Sequence, residues 1–325
     1  MVAERTMDSY CRRAGANYIM NDAIVDPNKQ IAFLEDLVAT ERADAVLILA
    51  VNEAMLAPAV DKATVAGLPV FACNFDVTMY TPNVVAFVYN DFDGPTGTNL
   101  VGEFFVQKAE ETGKPINIFE VWGDMTSQSS MDRHVGFHAA VDPCPLITVI
   151  ESSNTQWSDE LGGEFTRDAF TAHPELNGLF VHGGGCTGAV EALNSLGRLY
   201  PPDDPRHVII AVNDVDTRVL DTMDAGNLDA CGSHTGNELW ELATLNMFNY
   251  VVLGQPVPKR TTVPMVVITP ENVDTVMLGG EYDLGRLAAW PRLPANQFDS
   301  WPVLDGSKLG ITTPTVEMRK QLLGY

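Results

Sequence analysis

The run Thr171-Ala172-His173-Pro174-Glu175-Leu176-Asn177-Gly178-Leu179-Phe180-Val181-His182, closed by Gly183-Gly184-Gly185, constrains this chain most. It reads as a helix end, a turn marked by Pro174, and a short apolar strand that stops at the glycines. An open parallel sheet puts its ligand crevice just past the carboxyl end of such a strand. The same order of signals runs from Ala43 through Val46-Leu47-Ile48 to Asn52. Two such units, far apart in the chain, predict two similar α/β lobes facing one another across a cleft.

Helical and strand patterns alternate through most of the sequence. Residues 2–14 read as a helix ended by Gly15, residues 18–20 as a short strand, and Pro27 opens a helix with Ile31, Leu34, Leu37 and Val38 on one face. Residues 45–49 form a continuous apolar run, the pattern of a strand covered on both faces. Strands are further expected at 70–72, 84–89, 116–121, 147–151, 179–182, 208–212 and 229–233, with helices between them. Alternation of this kind implies parallel sheets with right-handed crossovers. The fold class is therefore α/β, as two Rossmann-like lobes in series with the boundary near residue 114. Residues 277–325, rich in Gly and Pro and carrying Trp290 and Trp301, read as an extended tail over the surface.

Composition excludes some classes. With 43 acidic against 20 basic residues the formal charge is −23, whereas nucleic-acid binding needs a positive footprint. No apolar stretch is long enough for a membrane span. The five cysteines lie far apart without a C-x-x-C pair, which makes a disulfide framework or zinc ribbon a poor fit. No secretory signal is visible at residues 1–5.

Several motifs in this order resemble the periplasmic sugar-binding proteins of ABC transporters, of the ribose- and galactose-binding type. They are Ala66-Gly67-Leu68-Pro69-Val70, Asp132-Arg133-His134-Val135-Gly136-Phe137, the run 171–180, Val212-Asn213-Asp214, and Val263-Pro264-Met265-Val266-Val267-Ile268-Thr269-Pro270-Glu271-Asn272-Val273. The likeness covers about residues 1 to 275. It implies that a hinge joins the lobes, which then comprise 1–114 plus about 235–262 and 115–234 plus about 263–276. It departs at the start: the family opens with a strand and a loop before its first helix, and this chain opens at that helix. This predicts a start downstream of the family's first strand, with any leader in the same missing piece.

The resemblance implies a small sugar or polyol held between the lobes by polar side chains at strand ends, with aromatic rings on its apolar faces. Hinge closure would then be read by an ABC permease, or by a sensor receptor, at the membrane. The protein would be a periplasmic, extracellular or lipid-anchored monomer without a cofactor. Carried over by motif, the contacts are Asn52, the turn Asn74-Phe75-Asp76, Asn90-Asp91, Trp157, Asn213-Asp214 and His234. Each also has an ordinary reading, since Asn and Asp after a strand form turns and helix caps. Where many relatives place a ligand-gripping Arg, this chain has Met131, with Arg133 at the neighbouring position that usually supports the helix. Asn74-Phe75 replaces an Asp-Arg pair, and Gly183-Gly184-Gly185 replaces a polar strand end. These changes predict a less charged, roomier site.

Rival functions have weaker signals. His134 and His138 have the i, i+4 spacing of metal ligands, but no third ligand accompanies them in the sequence, so they read as a packed or solvated pair. The glycine triplet could cradle a phosphate on backbone N–H groups, yet no P-loop pattern follows it. No G-x-S-x-G elbow is present. The sensor core of a LacI-type regulator shares the two-lobe architecture and remains the alternative to transport; an enzyme is the lesser one.

Overall fold

A computed structural model describes residues 7–8, 11, 15–74, 77–215, 217–234, 236–263 and 265–273. The expected tail lies outside the described residues, and so does most of the expected helix over 2–14; Met7, Asp8 and Cys11 are helical. The chain divides into two compact units, Met1–Asn90 with Thr235–Val263 and Asp91–His234 with Pro264–Leu278.

In the first unit the order is α1 (Pro27–Thr40), β1 (Val46–Ile48), α2 (Glu53–Val65), β2 (Val70–Asn74) and β3 (Ala86–Asn90). Later in the chain, α8 (Gly236–Val251) and β9 (Arg260–Val263) return to this unit. Its sheet is parallel throughout, in the order β1-β2-β3-β9. Alternation along β2 and β3 divides their side chains between two layers. Val70, Ala72, Phe87 and Tyr89 pack with Leu34, Leu56 and Val60 of α1 and α2. Cys73 and Val88 pack with Leu239, Leu242 and Phe248 of α8. Both faces are therefore covered, and β2 and β3 read as unbroken apolar runs.

At β1 the expectation of burial on both faces fails. Val46 and Leu47 are half-buried and Leu49 is 39% exposed, because among the described residues β1 is the edge strand of its sheet. Just past it the Gln30 side chain takes the place of a neighbouring peptide: its Nε2 donates to the Leu49 carbonyl and its Oε1 accepts from Val51 N–H. Residues 18–20, expected as a strand, are irregular, with Ile19 and Met20 exposed.

The second unit contains α3 (Asn99–Thr112), β4 (Ile116–Val121), α4 (Gln128–Val141), β5 (Ile147–Glu151) and α5 (Asp159–Ala172). It continues with β6 (Gly178–Val181), α6 (Cys186–Ser195), β7 (Ile209–Asn213), α7 (Thr217–Asp224), β8 (Ala230–His234) and β10 (Met265–Ile268). The sheet order is β10-β8-β7-β6-β4-β5, parallel except that β10 runs antiparallel to β8. Val101 and Phe105 of α3 pack with Phe137 and Val141 of α4 against Ile116, Ile118 and Phe180. This packing places α3 in the second unit, so the first change of unit falls at Asp91 and not near residue 114.

Gly136 on α4 lies so close to the Asp91–Thr98 loop that a Cβ there would stand 2.1 Å from the Phe92 carbonyl oxygen. That oxygen is also held by Thr98 N–H at 3.0 Å, so the loop is not free to move away. Alanine gains about 1 kcal/mol of helix propensity over glycine, whereas overpacking costs roughly 1–3 kcal/mol. Gly136→Ala should therefore lower the urea midpoint despite the better helix former. A midpoint at or above that of the parent would show that the loop gives way.

Candidate functional site

In the first unit three asparagines lie at carboxyl ends of strands. Asn52 caps α2, its Oδ1 accepting from Met55 N–H at 2.9 Å, which is the ordinary reading of an Asn there. Asn74 ends β2 with φ 79°, in the left-handed region that costs non-glycine residues about 1–2 kcal/mol. Asn90 ends β3, is fully buried, and donates through Nδ2 to Asn74 Oδ1. Its own Oδ1 has no hydrogen-bond partner. Phe75 and Asp76 lie outside the described residues.

In the second unit the strand ends converge on Arg133, which α4 delivers. The guanidinium is buried, donating through Nη1 to the His182 carbonyl and through Nη2 to Asp214 Oδ2 at 2.7 Å. Phe92 lies 4.4 Å from it on one side and Trp157 5.1 Å on another, both within cation–π range. Its Nε has no partner. Asn213, at the end of β7, donates to Thr98 Oγ1 at 2.9 Å, and its buried Oδ1 likewise has none. Asp214 follows with φ 68°.

Glycines make room for this cluster. Trp157 stands in a left-handed turn after Gln156, with φ 62° and 54°. A Cβ on Gly123 would meet the Trp157 ring at 2.2 Å, and one on Gly184 would meet the Trp157 carbonyl oxygen at 2.6 Å. One on Gly183 would stand 3.0 Å from Arg133 Nη1. The space freed by the triplet is thus filled by Trp157 and the Arg133–Asp214 pair. The glycines leave no open space of their own, and their packing explains the triplet without a phosphate.

The other candidates divide. Asp91 closes its own loop, its Oδ2 accepting from Thr96 N–H at 3.0 Å and from Thr96 Oγ1 at 2.6 Å. Met131 is half-buried on α4. Standing two positions before Arg133, it does not share that residue's helix face. His234 ends β8, where it is the register partner of Met265. Phe92 and His182 were not singled out from the sequence. Phe92 lies just after a strand in a loop of turn formers, and His182 reaches Arg133 through its carbonyl, which carries no side-chain signal.

A second polar group, also missed, lies between β4 and α4. Alternation along β4 puts Glu120 on the same face as Ile116 and Ile118, and it is fully buried. Its carboxylate meets three imidazoles: His134 Nδ1 at 3.2 Å from both oxygens, His138 Nε2 at 3.0 Å, and His182 Nε2 at 2.7 Å. Burial alone would raise the Glu120 pKa, but these three hydrogen bonds hold it well below the usual carboxylate range. The bond to Glu120 pushes His138 up to about 9, while burial pushes His182 down. His134 and His138 are thus a packed pair, as expected, but carboxylates from two strands accompany them. A search along the sequence could not see that.

A cavity of about 300 Å³ opens at the amino ends of the strands of the second unit, lined by residues including Asn177, Arg198, Arg206 and His207. Its cations are already engaged: Arg206 by Asp204, His207 by Asp229, and Arg198 by the Leu176 carbonyl. None of the candidate ligand contacts named from the sequence lines it.

Comparison with known proteins gives the class. A model of the periplasmic binding protein domain matches residues 1–254. The chain belongs to that family, which is one of solute-binding proteins and not of enzymes. Among its relatives is a xylitol-binding protein of Mycolicibacterium smegmatis, 24% identical over 274 residues, which are 83% of this chain and 74% of that protein. The galactofuranose-binding protein YtfQ of Escherichia coli is 26% identical over 200 residues, 58% of this chain and 59% of that protein. The crystal structure of a galactofuranose binding protein superposes with TM-score 0.75 at 22% identity, covering 85% of this chain and 92% of that one. An ABC transporter solute binding protein from Mycobacterium smegmatis with bound glycerol gives 0.74 at 21% identity, covering 84% and 90%. The resemblance read from the sequence holds at the level of family and fold.

Asp214 is the counter-charge of a buried cation. Asp214→Asn should lower unfolding free energy by about 1.5–3 kcal/mol, the range for hydrogen bonds to charged groups. Urea denaturation at unchanged slope measures this; a loss below about 0.5 kcal/mol would mean that solvent already screens the pair.

Proposed function

We propose that this protein captures a small sugar or polyol through polar side chains at the carboxyl ends of its strands and delivers it to an ABC permease from the periplasmic or outer side of the membrane. The observation that carries the reading is that each unit has buried polar atoms with no partner beside its strand ends. These are Asn90 Oδ1 at the end of β3 in the first, and Asn213 Oδ1 at the end of β7 with Arg133 Nε on α4 in the second. A buried polar atom left unpaired costs about 1–3 kcal/mol, and native proteins seldom carry one without a reason. Unpaired acceptors and a donor of this kind suit hydroxyls, since each hydroxyl both donates and accepts. The left-handed backbone at Asn74 in the first unit and at Trp157 and Asp214 in the second supports the strand ends of each unit, because strain of this kind collects at ligand sites. The names of the relatives, which include xylitol, D-apiose and galactofuranose binders, indicate the ligand class.

The test is a thermal-shift screen with xylitol, D-apiose, galactofuranose, glycerol and myo-inositol, followed by calorimetry on any hit. A ligand held only by the folded state adds about 2.7 kcal/mol at a hundredfold excess over its Kd. At least one compound should raise the melting temperature saturably. Asn90→Ala and Asn213→Ala should each weaken binding by about 10- to 100-fold, equivalent to roughly 1–3 kcal/mol. No shift from any of the five, or binding untouched in both variants, would sink the proposal.

A further inference from the structure

The Glu120 cluster does more than fill a polar gap. We propose that Glu120, His134, His138 and Glu151 form a binding site for one divalent transition-metal ion of the zinc type, on the α4 side of the second sheet and separate from the strand-end residues assigned to solute. The four donor groups already lie within 4.8 Å of one another.

Three features of the fold bring them together. Glu120 and Glu151 are register partners on the paired strands β4 and β5, so their side chains leave the sheet on the same face. His134 and His138 are one helical turn apart on α4, which crosses that face, and their rings lie 4.2 Å apart. Glu120 is wholly buried, His138 is 19% and His134 27% exposed, and Glu151 is exposed, which grades the cluster from a dry floor to an open side. An ion could enter by that side.

The distances from Glu120 to the two histidines are close to those of tetrahedral coordination. Bonds of roughly 2.0–2.1 Å to nitrogen and oxygen give ligand-to-ligand edges of about 3.3–3.4 Å. The histidine nitrogens stand 3.0 and 3.2 Å from the Glu120 oxygens. Imidazole with carboxylate is a donor set that suits zinc, copper, iron and nickel better than calcium or magnesium.

Outer partners are also in place, and metal sites usually require them. Asp142 Oδ1 lies 2.7 Å from His138 Nδ1, which leaves Nε2 as the inward-facing atom. Trp122 Nε1 donates to Glu151 Oε2 at 2.9 Å. Ser130 Oγ accepts from Gly123 N–H and lies 3.1 Å from His182 Nδ1; the network assigns the His182 proton to Nε2, which donates to Glu120 Oε1. The second oxygen of Glu120 then faces His134 and His138. Chemically, the ion would replace the protons now shared between those imidazoles and the carboxylate.

The experiment is zinc titration calorimetry on the full chain after treatment with a chelator, with cobalt(II) as a spectroscopic probe. One equivalent of zinc should bind, and cobalt(II) should give the intense visible bands of a tetrahedral ion. His134→Ala with His138→Ala should abolish both, while His173→Ala, at an exposed histidine, should leave them unchanged. Asp142→Asn, altering only an outer partner, should weaken zinc by about 10- to 100-fold. Circular dichroism checks that each variant folds. Equal zinc binding by the double variant, or a weak octahedral cobalt spectrum in the parent, overturns the proposal; the parental spectrum decides even where a variant fails to fold. None of these measurements involves a sugar, so the outcome is independent of the proposed solute.

Discussion

Coverage of both sheet faces by helices is the constraint on which the arrangement of the functional residues depends. Strands such as β2, β3 and β6 are buried along their length, and an unpaired polar side chain in the middle of one would be costly. Polar chemistry is therefore confined largely to strand ends. Asn74 and Asn90 in the first unit and Asn213 and Asp214 in the second occupy such ends. This is the physical reason that the carboxyl edge of a parallel sheet recurs as a ligand site. Glu120 departs from the rule, and it is tolerated only because three imidazoles surround it.

Burying Arg133 required changes in backbone and packing together. A guanidinium without water needs a counter-charge, acceptors and a polarisable surface. Asp214, the His182 carbonyl, Phe92 and Trp157 supply these. Trp157 reaches its place only through a left-handed turn and against glycines at 123 and 184. A side chain at either glycine would exclude the indole. The glycines at 123 and 184 and the aromatic wall that they admit are thus one packing arrangement. Read from the sequence alone, the glycines looked like empty space.

The fold was legible because it rests on periodicity. Strands such as β4, β5 and β8 and helices such as α4 and α5 fall close to where hydrophobic spacing and turn residues put them. Misreadings came where tertiary context decided. β1 is apolar in sequence but among the described residues lies at an edge, with Gln30 supplying the missing neighbour. α3 follows the first strands in the chain, yet its apolar face belongs to the core of the second unit. For the candidate site, the sequence points to Asn90, Trp157, Asn213 and Asp214, because each follows a strand or lies in a strand-to-helix loop. The structure places Trp157 and Asp214 against Arg133 and leaves Asn90 and Asn213 each with an unpaired buried oxygen. Asn52 and Asp91 carry the same signal but perform local work, as a cap and as a loop clasp. Residue type and position cannot separate these roles, since both use the same hydrogen-bonding capacity.

Long-range convergence is what the linear pattern hid most completely. Glu120 and His182 are far apart in sequence, and each looks like a stray polar residue at the end of an apolar strand. The parallel register of β4 with β6 pairs Glu120 with Phe180 and brings His182 to the same edge. From there the His182 ring holds the Glu120 carboxylate, while its carbonyl accepts from Arg133. One residue thereby fixes two charged groups of opposite sign that serve different proposed ligands. The imidazole is fully buried and bonded at both nitrogens, so it cannot reorient without breaking contacts with Ser130 and Glu120. That rigidity accounts for how a carboxylate and a guanidinium can both be desolvated in the same layer of one small unit. Each has its own counter-group, and the strand end between them is tied at both ring nitrogens and at the carbonyl of His182.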